Sequence, residues 1–384
     1  MIADTFAPSP VGRRQLLEWP IHATTALFCQ SIGNIRPSFG YTASPGGGAR
    51  AGADSSAAKP EESGEKPQEG DSRTRLLIDP VFKLHVTGNR HPERPARMDA
   101  VTESLEAAEL LSKLGSIPRR TALDDELMLC HTPEYVQLVK REIAGGARML
   151  STGDTSVSPK SLDVALEAAG GLLNAVDAVV DRQAKNAFCV VRPPGHHASP
   201  DRGMGFCIFN NIAVAARYAQ KKHGIGKVLI ADWDVHHGNG TQDTFYRDGS
   251  VFFFSTHQSP WYPGTGETGE TGEGQGRGTT FNAPFPAGVG RVEIVGVFRN
   301  QLVELAKAFK PDLVMISAGF DSRLGDPLGK FTLDDQDFAD LTDIMLEIAE
   351  QHAGGRLVSV LEGGYSLTGL GAAAASHVQA LARG

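Results

Sequence analysis

The feature that most limits how this chain can fold is a repeated pairing of a short, unbroken apolar run with a helix-length segment. The runs lie at 76–78, 187–191, 227–230, 251–254, 312–317 and 356–361. None alternates apolar with polar residues, so each reads as a strand buried on both faces. Strands of that kind belong to parallel sheets covered by helices. Helices are expected at 98–114, 133–143, 162–180, 211–222 and 292–309, with Pro133 suited to a first turn. No internal repeat is visible, and one α/β domain is expected over 73–384.

Residues 1–72 differ in kind. Arg13-Arg14-Gln15-Leu16-Leu17, a mildly apolar patch, a Gly/Ser/Pro-rich stretch and a Glu-rich run cannot bury enough apolar surface to fold alone. They read as a disordered tail (or a mis-assigned start), or as a leader: an organelle transit peptide or a twin-arginine export signal. A cytoplasmic setting is expected, with organelle import or export as the alternatives. The formal net charge of -8 gives no general attraction to nucleic acid or to an anionic membrane. No apolar run approaches the ~20 residues of a membrane span. Four cysteines without a CxxC pair fit a reducing compartment, and Cys189 reads as plain core.

Chemistry is expected where the strands end, because in open α/β sheets the ligand crevice lies outside their carboxyl ends. The run 227–230 breaks into Ala231-Asp232-Trp233-Asp234-Val235-His236-His237-Gly238-Asn239-Gly240. In strand-like backbone residues two apart share a side, so Asp234 and His236 project together and Asp232 shares that side. A carboxylate and an imidazole aimed at one point supply two ligands of a zinc site with an open position. Asp321, in Gly319-Phe320-Asp321-Ser322 after another strand, is the expected third ligand.

Arg192-Pro193-Pro194-Gly195-His196-His197 follows the run 187–191. Adjacent imidazoles in a proline-fixed loop suit general acid/base work near neutral pH. Asp232 is a candidate to orient one of them, since a hydrogen-bonded carboxylate fixes a tautomer and raises basicity. After the last run, Glu362-Gly363-Gly364-Tyr365 allows close backbone approach and offers the Tyr365 hydroxyl to a developing oxyanion. Taken singly, each motif also reads as a turn, a pair of solvated histidines or a core-edge tyrosine. The Gly-rich loop from Trp261 to Gly278 lacks the Gly-Lys-Ser/Thr ending that would cradle a nucleotide. Its Tyr262, with Phe206, instead suggests walls for a narrow apolar tunnel, although Phe206 fits a core position equally well.

The segments RPPGHH, GFCIFNN, DWDVHHGNGTQ, PGTGETG, SAGFDSRLGDPLG and LEGGY together resemble the zinc-dependent histone deacetylase superfamily, which includes acetylpolyamine amidohydrolases. The likeness runs from about residue 75 to the C-terminus and is closest in wording to the class II branch, with Asn239 where other branches carry Asp. It implies an arginase/deacetylase-like three-layer α/β fold with a central, mostly parallel sheet of about eight strands. It also implies one Zn2+ on Asp234, His236 and Asp321, with His196 and His197 as the acid/base pair. Tyr365 would polarise the substrate carbonyl, while Asp232 supports His196 and Asn239 supports His197.

The same resemblance puts Phe206 and Tyr262 (usually Phe) on the tunnel walls, with Gly205, Leu328 and Gly364 at the substrate. It sets Asp154 near the position that grips the substrate backbone. Structural K+ is implied at Asp232, Asp234, His236, Ser255 and Thr256. Related arginases hold two metals through carboxylates where this chain has Gly238 and Arg323, which implies a mononuclear site. The implied reaction is hydrolysis of acetyl groups from the ε-amine of lysine in proteins, releasing acetate. Leu328 stands where polyamine-specific relatives carry a glutamate, which favours acetylated lysine in a peptide over a small acetylated amine. The other readings are a small-amide or longer-acyl hydrolase, and an inactive scaffold that binds acetylated tails.

Overall fold

A computed structural model describes residues 72–384, so the tail or leader read over 1–72 lies outside them but for its last residue. Among the described residues eight strands form a single sheet: β1 (Ser72–Ile78), β2 (Leu114–Ser116), β3 (Asn186–Val190), β4 (Val228–Asp232), β5 (Val251–Gln258), β6 (Thr280–Phe285), β7 (Leu313–Ala318) and β8 (Leu357–Leu361). Their spatial order is β2-β1-β3-β8-β7-β4-β5-β6, and every neighbouring pair is parallel. All residues of β3, β4, β5, β7 and β8 are buried, which requires cover on both faces. The three-layer α/β architecture expected from the sequence is the one found.

The helices are α1 (Ala96–Ala107), α2 (Asp124–Leu127), α3 (Pro133–Ala144), α4 (Ser161–Val180), α5 (Asn211–His223), α6 (Asn239–Phe245), α7 (Arg291–Val297), α8 (Val303–Phe309), α9 (Asp335–His352) and α10 (Leu367–Arg383). One group, α1, α9 and α10, packs together, and α4 packs with α5. Among the described residues no helix is long and apolar enough to cross a membrane.

Several elements depart from the sequence reading. The helix expected at 98–114 stops at Ala107, after which Glu109 turns with φ 54° and Leu114 enters β2. Strands β2 and β6 carry no unbroken apolar run because they are the sheet's edges, and β6 tolerates Pro284 for the same reason. The helix expected at 292–309 is interrupted at Phe298–Leu302 by a π-helical turn. Phe298 packs there 6.2 Å from the ring of Trp233 and 5.0 Å from Phe254. Two long helices, α9 and α10, add to those read from the sequence. The first is capped by Asp334, which accepts from the Asp337 amide at 3.0 Å.

A buried ionic hub ties the loop before α1 to the loop after β3. Glu93, fully buried, accepts from Arg192 Nε, from Arg192 Nη2 at 2.7 Å and from Arg97 Nη1 at 3.3 Å. Burial alone would raise the Glu93 carboxyl, but the charge and hydrogen bond of Arg192, with the charges of His85 and Arg97, together outweigh it and lower it to about 2. Glu93→Ala leaves Arg192 charged and dry, so it should cost about 3–5 kcal/mol of unfolding free energy. Urea titration of the two proteins checks this, and a loss under about 1 kcal/mol would contradict the hub.

Candidate active site

Strands β3, β8, β7 and β4 are consecutive in the sheet, and their carboxyl ends carry the four polar motifs side by side. Asp234 and His236 leave β4, Asp321 leaves β7, Tyr365 leaves β8, and His196 and His197 leave β3. One ligand atom each from Asp234, His236 and Asp321 lies within 4.8 Å of the others, and all three residues are buried. His236 Nδ1 is 2.9 Å from Asp234 Oδ1 and 3.2 Å from Asp321 Oδ2.

Backbone amides aim the two carboxylates. Asp234 Oδ2 accepts from Gly363 N at 2.8 Å, and Asp321 Oδ1 accepts from Val235 N at 2.9 Å. Asp321 Oδ2 is buried and, apart from its 3.2 Å contact with His236 Nδ1, has no hydrogen-bond partner among the described residues. Burial and then the neighbouring Asp234 push the Asp321 carboxyl up to about 7. Two carboxylates facing one point in dry surroundings are mutually unfavourable until a cation lies between them. The arrangement therefore fits a bound divalent metal.

The two tandem imidazoles, 4.0 Å apart between centroids, sit in unlike surroundings. His196 Nδ1 meets Asp232 Oδ2 at 3.0 Å, and Asp232 Oδ1 accepts from Asp234 N at 3.1 Å. The Asp232 carboxylate thus turns toward His196 and stands outside the three-ligand cluster. Burial would lower His196, but the Asp234 and Asp232 carboxylates raise it to about 10. His197 Nδ1 meets the Asn239 side-chain oxygen at 2.8 Å, a neutral partner. Burial, then the charges of His196 and His236, lower His197 well below the usual imidazole range. An amide oxygen only accepts, so His197 holds its proton on Nδ1 and leaves Nε2 with a free lone pair.

A cavity of about 240 Å³ is lined by Asp154, His197, Gly205, Phe206, His236, Trp261, Tyr262, Leu328 and Tyr365. Phe206 is thus a wall and not a core residue, held at φ 68° in a sharp turn. A Cβ on the preceding Gly205 would come within 2.2 Å of His197 Cδ2, so only glycine lets this wall pack on the imidazole. At the mouth, Asp154 Oδ1 accepts from Gly205 N at 2.7 Å and from the Tyr262 hydroxyl at 3.4 Å. Gly364 is not among the lining residues; its carbonyl accepts from Arg97 Nε at 2.7 Å. Ser255 Oγ meets His257 Nδ1 at 3.0 Å, while the buried Thr256 Oγ1 has no hydrogen-bond partner among the described residues.

Residues 91–381 match the model of the family described as the histone deacetylase domain. The chain belongs to the histone deacetylase family. This deacetylase is 40% identical over 306 residues to histone deacetylase 10, chloroplastic, of Oryza sativa subsp. japonica, covering 76% of this chain and 69% of that one. It is 40% identical over 300 residues to the human polyamine deacetylase HDAC10, covering 75% of this chain and 44% of that one. Among solved structures, the HDA15 HD domain matches with a TM-score of 0.77 at 37% identity, over 81% of this chain and 89% of that chain. The protein is a hydrolytic deacetylase.

Three side chains near this deacetylase's site carry no role in the sequence reading. Glu362 accepts from Gly195 N at 2.7 Å and from His196 N at 3.1 Å, which fixes the histidine loop from the neighbouring strand end. Its position beside Gly363 is the one signal that could have marked it. Trp261 forms part of the rim and donates from Nε1 to the Leu328 carbonyl at 2.8 Å. Asp326 binds the backbone of Tyr365 and Ser366.

Proposed function

We propose that this deacetylase removes acetyl groups from the ε-amine of lysine in peptides or proteins, with one zinc ion held by Asp234, His236 and Asp321. The observation that carries the reading is the meeting of three ligand atoms at an apolar-walled cavity lined by an imidazole with a free Nε2. When bound there, zinc supplies Lewis acidity toward a carbonyl oxygen and makes a water easier to deprotonate. A second metal has no support. A side chain at Gly238 would come within 2.2 Å of Asp232 Oδ2, and Arg323 is turned onto Asp335 at 2.6 Å.

The chain's own groups divide the work. His197, kept neutral, accepts the proton of the attacking water at Nε2 and later returns it to the departing amine. Tyr365 donates its hydroxyl to the oxygen that gains negative charge as the carbonyl carbon becomes tetrahedral. Phe206 and Tyr262 enclose the alkyl chain and exclude water, and Asp154 at the rim accepts from a substrate backbone amide. Structural potassium belongs to the same proposal. Ser255 pairs with Asp232 in the register between β5 and β4, and the unpaired Thr256 hydroxyl is available to a cation.

The substrate choice rests on Leu328, an apolar wall of the cavity where an ammonium-binding carboxylate would otherwise stand. Turnover of an acetyl-lysine peptide and of N8-acetylspermidine, measured side by side, tests it. The expected kcat/KM favours the peptide by about tenfold or more, since the free ammonium of the polyamine finds no buried counter-charge. A preference for the polyamine would transfer the assignment to that substrate class.

A further inference from the structure

The peptide unit joining Gly364 to Tyr365 is gripped at both ends by buried charge. Its carbonyl accepts from Arg97 Nε at 2.7 Å, and its amide donates to Asp326 Oδ2 at 2.7 Å. Arg97 is fully buried and Asp326 is 3% exposed. The same Arg97 binds the Glu362 carbonyl through Nη2 at 2.5 Å, and its guanidinium lies 5.0 Å from the centre of the Tyr365 ring. Asp326 Oδ2 also accepts from Ser366 N at 2.9 Å, at the start of α10, and Oδ1 accepts from Leu328 N at 2.9 Å.

This grip answers a local weakness. Gly364 sits at φ 118°, a region open to glycine and rare for other residues. A residue so permissive does not by itself fix the plane of the peptide that follows it. With that plane unheld, rotation about the Gly364 dihedrals would turn the peptide and carry the Tyr365 side chain off the cavity. A cation on the oxygen and an anion on the N–H oppose such a turn from both sides.

We propose that Asp326 is a positioning residue for the reaction, holding the Gly364–Tyr365 peptide in the orientation that keeps the Tyr365 hydroxyl in the cavity. The inference rests on the proposed role of Tyr365, and the experiment separates the two.

Steady-state kinetics are compared for Tyr365→Phe, Asp326→Asn and the double variant, with metal content and thermal stability recorded for each. Asp326→Asn should lower kcat by about tenfold or more while KM moves less than about threefold and metal content stays unchanged. Tyr365→Phe should lower kcat by about 10²–10³. In the Tyr365→Phe background, Asp326→Asn should cost less than about twofold, because the hydroxyl it positions is already gone. A full effect of Asp326→Asn in both backgrounds, or none in either, overturns the positioning role while Tyr365 keeps its own. No effect of Tyr365→Phe overturns the tyrosine assignment, and the inference with it. If Asp326→Asn does not fold, Asp326→Glu, which keeps the charge and shifts it by one methylene, takes the same comparison and the same criteria.

Discussion

Asp321→Asn should abolish both metal retention and deacetylation, lowering kcat/KM by on the order of 10⁴ or more. A neutral amide cannot balance a divalent ion, and the lost transition-state stabilisation amounts to roughly 5.5 kcal/mol for a factor of 10⁴. The stability readout should move the other way. In the metal-free protein only the His236 imidazole lies between Asp321 and Asp234, and it does not offset the penalty: burial and then Asp234 still hold the Asp321 carboxyl up at about 7. Removing that carboxylate relieves the conflict, so with chelator present the variant should melt at the wild-type temperature or above it. Added zinc should raise the wild-type Tm and leave the variant's unchanged. Calorimetry with and without zinc checks both signs. Wild-type activity in the variant, or an equal zinc shift in both proteins, would contradict the ligand role.

His197→Ala should lower kcat by about 10²–10⁴ with metal content intact. The expectation follows from the unlike partners of the histidine pair. His196 is tied to a carboxylate and held protonated, with its value raised to about 10. His197 is tied to an amide and held neutral, with Nε2 free in a residue that lines the cavity. Only the neutral imidazole can take a proton from water near pH 7. Asn239→Asp makes a second check on the same logic. A carboxylate there stabilises the imidazolium, so the acid limb of the pH–rate profile should move to higher pH. More than a tenth of wild-type kcat in His197→Ala would assign the base elsewhere.

The six apolar runs identified the buried strands because a parallel strand covered on both faces has no reason to alternate. Edge strands β2 and β6 have one neighbour each and lack that signature, so they were not legible. Helix α10 was hidden differently. Its Ala- and Gly-rich sequence, with Gly369 and Gly371 near its start, gives a weak pattern whose packing against α1 and α9 is a tertiary matter. At the site, the side chains that bear chemistry stood out because Asp, His and Tyr directly after an apolar strand have few structural uses.

The residues that aim those side chains did not stand out. Glu93, Asp326 and Glu362 act by accepting backbone amides or pairing with buried arginines across the fold. Nothing in one sequence says which distant loop will present a bare N–H. Asp232 was legible as an orienter by its spacing, yet its turn toward His196 and away from the ligand cluster depends on how β3 and β4 are placed in the sheet.

Reconstitution of the metal-free protein tests the central claim most directly. After chelation and removal of the chelator, zinc is added in fractions of an equivalent, and acetate release from an acetyl-lysine peptide is read at each step. The account predicts no turnover at zero, a linear return and a plateau at one zinc per chain, with no return for Asp321→Asn at any ratio. Full turnover by the stripped protein, or a plateau only at two equivalents, would contradict it.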